Sequence, residues 1–273
     1  MIKVDTEEVV LRYGNRGMNL LMHALPGHFY RRSAEKIMEL PKGNVLILTG
    51  FYVAGHPETD GPTGAYFLAK AFETLGFTPV ILTDGYVGDL FRDVETIHIE
   101  SCTESVCYKL MRQYVPVFCL SIEYCGRNSQ DDYTNMRGVS IKEHVAGLDS
   151  IILTANDRGI PTFGIGDGGN EAGMGNLHDK ISGILPIEPS VVPVDHLMIA
   201  TVSNWAAYGL ICELQKVTGI RLMPAYEDVE QYYRLLVSEG CVDGISRECK
   251  MSVDGFPVEV ERGILSDLAN ART

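Results

Sequence analysis

Seven short apolar-rich runs, separated by stretches of helical periodicity, constrain the fold most. They are residues 45–49, 79–83, 96–99, 117–122, 150–154, 161–165 and 196–200. Runs of this length without polar alternation are the pattern of strands buried on both faces of a parallel sheet. Between them, residues 64–75 place Ala65, Leu68, Ala69, Phe72 and Leu75 on one helical stripe. Residues 104–114 and 204–217 are further helices, and segments near 32–39, 226–238 and 259–271 complete the set. Strands alternating with helices predict an α/β fold: an open, doubly wound, mostly parallel sheet with helices on both faces. Ligands of such folds bind in the loops at the C-terminal ends of strands.

The chain has 273 residues, of which 45% are hydrophobic, enough for one large core. No repeat, low-complexity tract or linker divides it, so residues 1–273 are expected to form a single α/β domain. The formal net charge of -13 repels phosphate backbones, so nucleic acid is not an expected partner, whereas cations are. No run approaches the length of a membrane span. The first eight residues are too acidic for a signal peptide, which points to the cytoplasm. Seven cysteines without a C-x-x-C pair give no zinc knuckle or disulfide framework. Cys119 and Cys212 read as small core residues, and Cys125 sits inside a loop of interest.

That chemistry concentrates in four loops. Residues 164–175, Gly-Ile-Gly-Asp-Gly-Gly-Asn-Glu-Ala-Gly-Met-Gly, contain six glycines and two acids, Asp167 and Glu171, after an apolar run. Carboxylates in a turn at a strand's end suit a hard cation or an ammonium group. The spacing Gly164-x-Gly166-x-x-Gly169 also fits a dinucleotide fingerprint, with Glu188 downstream, but acids there would oppose a pyrophosphate. A plain structural turn is the third reading. The loop at 50–64 carries His56, Glu58 and Asp60, and Thr59 or Asp60 could cap the helix that Pro62 opens. After the run at 117–122 come Glu123, Arg127, Tyr133, Asn135 and Arg137. Either arginine could hold a substrate carboxylate or simply pair with a neighbouring acid. Finally, Ser203-Asn204-Trp205 opens a helix; Ser203 is a natural cap, and no nucleophile elbow surrounds it.

In this order, Glu58-Thr59-Asp60-Gly61-Pro62, Ile122-Glu123 with Gly126-Arg127, Tyr133 with Asn135 and Arg137, the loop at 164–175, and Ser203-Asn204-Trp205 resemble the D-glutamate cyclase family. The resemblance runs from about residue 27 to the C-terminus and is most specific in Gly166-Asp167-Gly168-Gly169-Asn170-Glu171. Thr63 stands where a second proline is expected.

The resemblance implies ring closure of D-glutamate to 5-oxo-D-proline with loss of water, a metal-dependent lyase reaction. For that reaction Asp60, Asp167 and Glu171 are expected on the metal with Glu58 a candidate fourth ligand, Glu123 as base with Asp167 also catalytic, Arg127 or Arg137 as carboxylate clamp, and Asn170 and Asn204 as orienting groups. Carboxylates and amides favour Mg²⁺ or Mn²⁺ over zinc. A small amino acid is the expected partner, and a homo-oligomer is compatible with the sequence. Two other functions use the same residues: metal-dependent hydrolysis of a phosphate or amide, and non-enzymatic binding of an amino acid or cation.

Overall fold

A computed structural model describes residues 5–14 and 16–271; the first four residues of the acidic N-terminal stretch lie outside them. The helices are α1 (Thr6–Val10), α2 (Met18–Leu21), α3 (Phe29–Glu39), α4 (Pro62–Thr74), α5 (Glu104–Tyr114), α6 (Asp149–Asp157), α7 (His178–Ser182), α8 (Ser203–Thr218), α9 (Tyr226–Ser238) and α10 (Glu259–Ala269). The main-sheet strands are β1 (Asn44–Leu48), β2 (Thr78–Asp84), β3 (Thr96–Ile99), β4 (Phe118–Ile122), β5 (Thr162–Gly166) and β6 (His196–Ile199). All neighbours pair in parallel, in the order β3-β2-β1-β4-β5-β6. This is the doubly wound α/β order, and it reverses between β1 and β4.

Helices α3, α4 and α8 pack together, as do α5 and α6, and both groups pack against the sheet. The strands between them are largely apolar: Val45, Leu46, Ile47 and Leu48 of β1 are fully buried, as are Phe118, Cys119, Leu120 and Ile122 of β4. Edge-to-face rings join the layers. Phe118 meets Phe72 of α4 at a centroid separation of 5.3 Å and Phe163 of β5 at 5.3 Å.

One expected strand is a helix. Residues 150–154 lie inside α6, where Ile151, Ile152 and Ala155 are buried. These positions share a helical stripe, and a short apolar run does not by itself separate the two structures. The other expected strands and helices form, with ends shifted by up to three residues.

Helix α8 is buried from Ser203 to Leu214 because α1, α3, α4 and α10 surround it. Gly219, in the left-handed region at φ 72°, ends it. A buried carboxyl, Glu261 of α10, ties the C-terminal helices to it. Glu261 accepts from the hydroxyls of Tyr208 (2.8 Å) and Tyr233 (2.5 Å). Burial pushes this carboxyl from 4.5 up to about 7, against those hydrogen bonds. The folded state therefore holds more protons than the unfolded state between those values, and it loses stability as pH rises through that window. Glu261→Gln removes this contribution. Thermal unfolding of the variant between pH 5 and 8 is expected to vary less with pH than that of the parent. An unchanged slope would show that Glu261 does not titrate there.

Candidate active site

Because the strand order reverses between β1 and β4, the loops leaving these two strands diverge and open a crevice at their C-terminal ends. The sequence delivers acids to that crevice. Glu58 and Asp60 follow β1, Glu123 follows β4 directly, and Asp167 and Glu171 follow β5; all are buried. Oxygens of Asp60, Asp167 and Asp254 lie within 4.8 Å of one another, as do oxygens of Glu123, Asp167 and Glu171. Asp167 thus belongs to both groups.

The glycine-rich loop is a cradle for its own acid. Glu171 accepts from the backbone N–H groups of Gly168 (2.8 Å), Gly169 (2.7 Å) and, at longer range, Asp167 (3.4 Å). A Cβ on Gly166 or Gly168 would stand 2.9 Å from a Glu171 oxygen, and Gly169 holds φ 106°. The donors that a dinucleotide fingerprint would turn toward a phosphate here face a carboxylate. The loop also follows the fifth strand, not the first.

Asp60 and Asn204 exchange caps between two helices. Asp60 does not cap α4; its Oδ2 accepts from Ser203 N–H (2.9 Å) and its Oδ1 from Asn204 N–H (2.8 Å), at the start of α8. In return, Asn204 Oδ1 accepts from Gly61 (3.0 Å) and Gly64 (2.8 Å), at the start of α4. The Asn204 amide donates to the Thr59 carbonyl and the Tyr233 hydroxyl, both at 3.0 Å. Its hydrogen-bonding capacity is thereby filled by the protein. Ser203 is the first residue of α8, not its cap, and its hydroxyl donates to Glu123 Oε2 at 2.6 Å.

The two arginines noted in the sequence have different fates. Arg127 donates through its backbone N–H and Nε to Asp149 Oδ2, at 3.0 and 2.8 Å, and through Nη2 to Asp149 Oδ1 and Ser150. It is tied to α6 and does not line the acidic cavity. Arg137 does line that cavity, which has a volume of about 240 Å³. Glu58, Glu123 and Asn170 line it too. Asn170 donates to the Thr134 carbonyl at 2.8 Å, while its Oδ1 is buried without a partner. A larger cleft of about 750 Å³, beside stacked Tyr66 and Tyr232, contains none of these acids.

Two further residues complete the cluster, and the sequence reading missed both. Asp254 sits at the tip of a hairpin, Ser252–Val253 paired with Phe256–Pro257. Asp254 and Gly255 have φ 49° and 79°. Asp-Gly between apolar residues is the sequence signal of such a turn. Arg16, from the segment before α2, bonds Asp167 at 2.5 Å through Nη1 and Asp254 through Nη2. No local sequence signal marks it.

Crowding sets the protonation of these acids. Burial, then Asp254, raises Asp60 to about 8 against the N–H groups of Ser203 and Asn204. Burial raises Glu123 well above the ordinary carboxylate range, and Glu171, Asp60 and Glu58 add to it. Asp167 is also raised, by burial first, although Arg16 pulls it down. Burial works to lower the Arg16 guanidinium, but Asp167 and Asp254 outweigh it and keep the group charged. Asp167 Oδ2 and Asp254 Oδ2 remain buried without hydrogen-bond partners. All-oxygen donors with unpartnered buried atoms fit a hard divalent cation.

Asn204→Ala strips caps from α4 and leaves buried partners unsatisfied. It is expected to cost about 2–4 kcal/mol in urea unfolding. Gly169→Ala, at a positive φ and with its Cβ 2.8 Å from Ile181, is expected to cost about 1–3 kcal/mol. Either variant unfolding like the parent would refute the structural role given to that residue.

Residues 6–269 match the family described as D-glutamate cyclase-like, C-terminal. The chain is 28% identical over 265 residues to "D-glutamate cyclase, mitochondrial" of Homo sapiens, an alignment covering 78% of this chain and 43% of that protein. The chain thus spans less than half the length of that relative. The solved structure of UDP-glucose 4-epimerase from Brucella ovis in complex with NAD is similar over 46% of this chain and 36% of its own, at 16% identity and a TM-score of 0.32. That likeness is too slight to bear on fold or ligand. The family match extends over nearly all of the chain, from α1 to α10, and the chain belongs to the D-glutamate cyclase-like, C-terminal family.

Proposed function

We propose that this chain is a cation-dependent lyase that closes D-glutamate to 5-oxo-D-proline and water. The observation that carries the reading is a small cavity at the sheet's switch point. It is lined by buried carboxylates, with arginine among its other lining residues. Family membership and the similarity to the human cyclase support the choice of substrate.

In this reading Asp167 holds the cation with Asp60 and Asp254, and Glu123 and Glu171 form the adjoining group. A bound divalent cation supplies Lewis-acid polarisation of the carboxyl group under attack. The chain's own groups handle the protons. Once ionised, Glu123, raised by burial and by neighbouring acids, is a stronger base than an exposed carboxylate and takes a proton from the substrate ammonium. Ser203 fixes Glu123 through its hydroxyl. The freed amine forms a bond to the side-chain carboxyl carbon, and one carbon–oxygen bond breaks. The oxygen leaves as water with the two protons that nitrogen has lost, so no further reactant is consumed. Arg137 faces the substrate's other carboxylate, and Asn170 Oδ1 accepts from the ammonium.

The test is turnover by chelator-treated protein given D- or L-glutamate, with and without Mn²⁺ or Mg²⁺, followed by chiral chromatography. Cation-dependent 5-oxoproline from the D-isomer alone is expected. Asp167→Asn, checked for a native melting transition, is expected to lose at least about 100-fold in rate. Absence of product with the cation present would refute the reading. Phosphate esters and amides would then test hydrolysis, and calorimetry without turnover would test a binding role.

A further inference from the structure

The cavity has a second electrostatic feature besides its acids. Besides Arg16, which is paired with Asp167 and Asp254, two arginines from separate loops line it, Arg137 and Arg247, and among the described residues neither of these forms an ion pair. Both are exposed, and a guanidinium without an acid partner can offer its planar fork to a carboxylate. They are also neighbours: Arg137 Nη2 donates at 3.4 Å to the carbonyl of Ile245, two residues before Arg247.

The turn carrying Arg247 is built rigidly. Asp243 Oδ1 accepts from the N–H groups of Ile245 (3.0 Å) and Ser246 (2.7 Å), and the Arg247 N–H donates to the Asp243 carbonyl at 2.7 Å. Arg247 itself holds φ 60°, a conformation that L-residues adopt at a cost. The other oxygen of Asp243 accepts from Ser252 Oγ (2.6 Å) and Gly255 N–H (2.9 Å), in the hairpin that presents Asp254. One buried carboxylate therefore ties the turn of a cavity arginine to the hairpin that carries Asp254, whose acid joins Asp60 and Asp167.

We propose that Arg247 and Arg137 together clamp the carboxylate beside the substrate's amine, and that this pair selects amino acids in which that carboxylate is free. The proposal rests on the cavity being the substrate site, as argued above. It makes Arg247 a specificity-determining residue. Its opposite end is set by charge: the acids take the cation and the ammonium, and the arginines take the anion. A ligand whose carboxylate is amidated loses the charge-assisted bidentate bond and leaves both arginines unpaired.

Binding of D-glutamate and of its α-amide, D-isoglutamine, would be measured by calorimetry on the intact chain with Mn²⁺. The parent would be compared with Arg247→Gln, Arg137→Gln and Arg247→Lys, alongside steady-state kinetics. The parent is expected to favour D-glutamate. Arg247→Gln is expected to weaken D-glutamate binding about tenfold or more and to abolish the preference, and Arg247→Lys to restore it in part. KM should rise while kcat stays within a few-fold. Variants that bind and discriminate like the parent would overturn the clamp. A parent that binds D-glutamate selectively without turning it over would uphold the clamp and refute the cyclisation. A parent that binds neither ligand would overturn both.

Discussion

The two helices beneath the crevice start on each other's side chains. Asp60, just before α4, satisfies the first N–H groups of α8, and Asn204, at the start of α8, satisfies those of α4. A helix N-terminus leaves donors unsatisfied and carries partial positive charge. Exchanging caps meets both demands for both helices at once, and ties the start of each helix to the other. The residues that line the cavity after β1 inherit that frame. The Asn204 amide extends it to Tyr233 and so to Glu261, which links α9 and α10 to the same point.

On this frame the fold concentrates negative charge in a dry place. Glu58, Asp60, Glu123, Asp167, Glu171 and Asp254 are all buried, and Arg16 is the guanidinium bonded among them. The acids are compensated by different means. Glu171 leans on glycine N–H groups and Asp60 on a helix terminus, whereas Asp167 and Asp254 share Arg16 and each keep an oxygen without a partner. Burying a charge is costly unless it is paired or hydrogen-bonded. Burial therefore favours the protonated forms of Asp60, Glu123 and Asp167, and a cation bound among them would displace protons.

Much of this was legible in the sequence because it is local. Apolar runs reveal buried strands, and the doubly wound order makes the loops after them the place to look for chemistry. Glu58, Asp60, Glu123, Asp167, Glu171, Asn170 and Arg137 were found in that way. The 150–154 run was misread because its apolar residues fit either period. Arg127 could not be told from Arg137, because the acid that claims it, Asp149, is 22 positions away. Capping of the helix next to it was one reading of Asp60, beside a place on the metal, but the donors it satisfies lie 143 and 144 positions along the chain. Asp254 carried a readable signal, the Asp-Gly turn, but nothing local says that the turn reaches the crevice. Arg16 carried none, since a single arginine in an irregular segment acquires meaning only from what it touches.

The Arg16 contacts have a consequence for how the molecule comes into being. Its guanidinium spans 151 positions to Asp167 and 238 to Asp254. Contacts so distant along the chain form only after very long loops have closed, which is slow and entropically expensive. During synthesis the loops after β1, β4 and β5 emerge well before the hairpin that bears Asp254. Until that hairpin docks, the growing chain holds mutually repelling acids without the strap between Arg16 and Asp254. The pair between Arg16 and Asp254 thus closes only after the hairpin has been made, and the acids of the crevice gain that strap only when segments 238 positions apart meet.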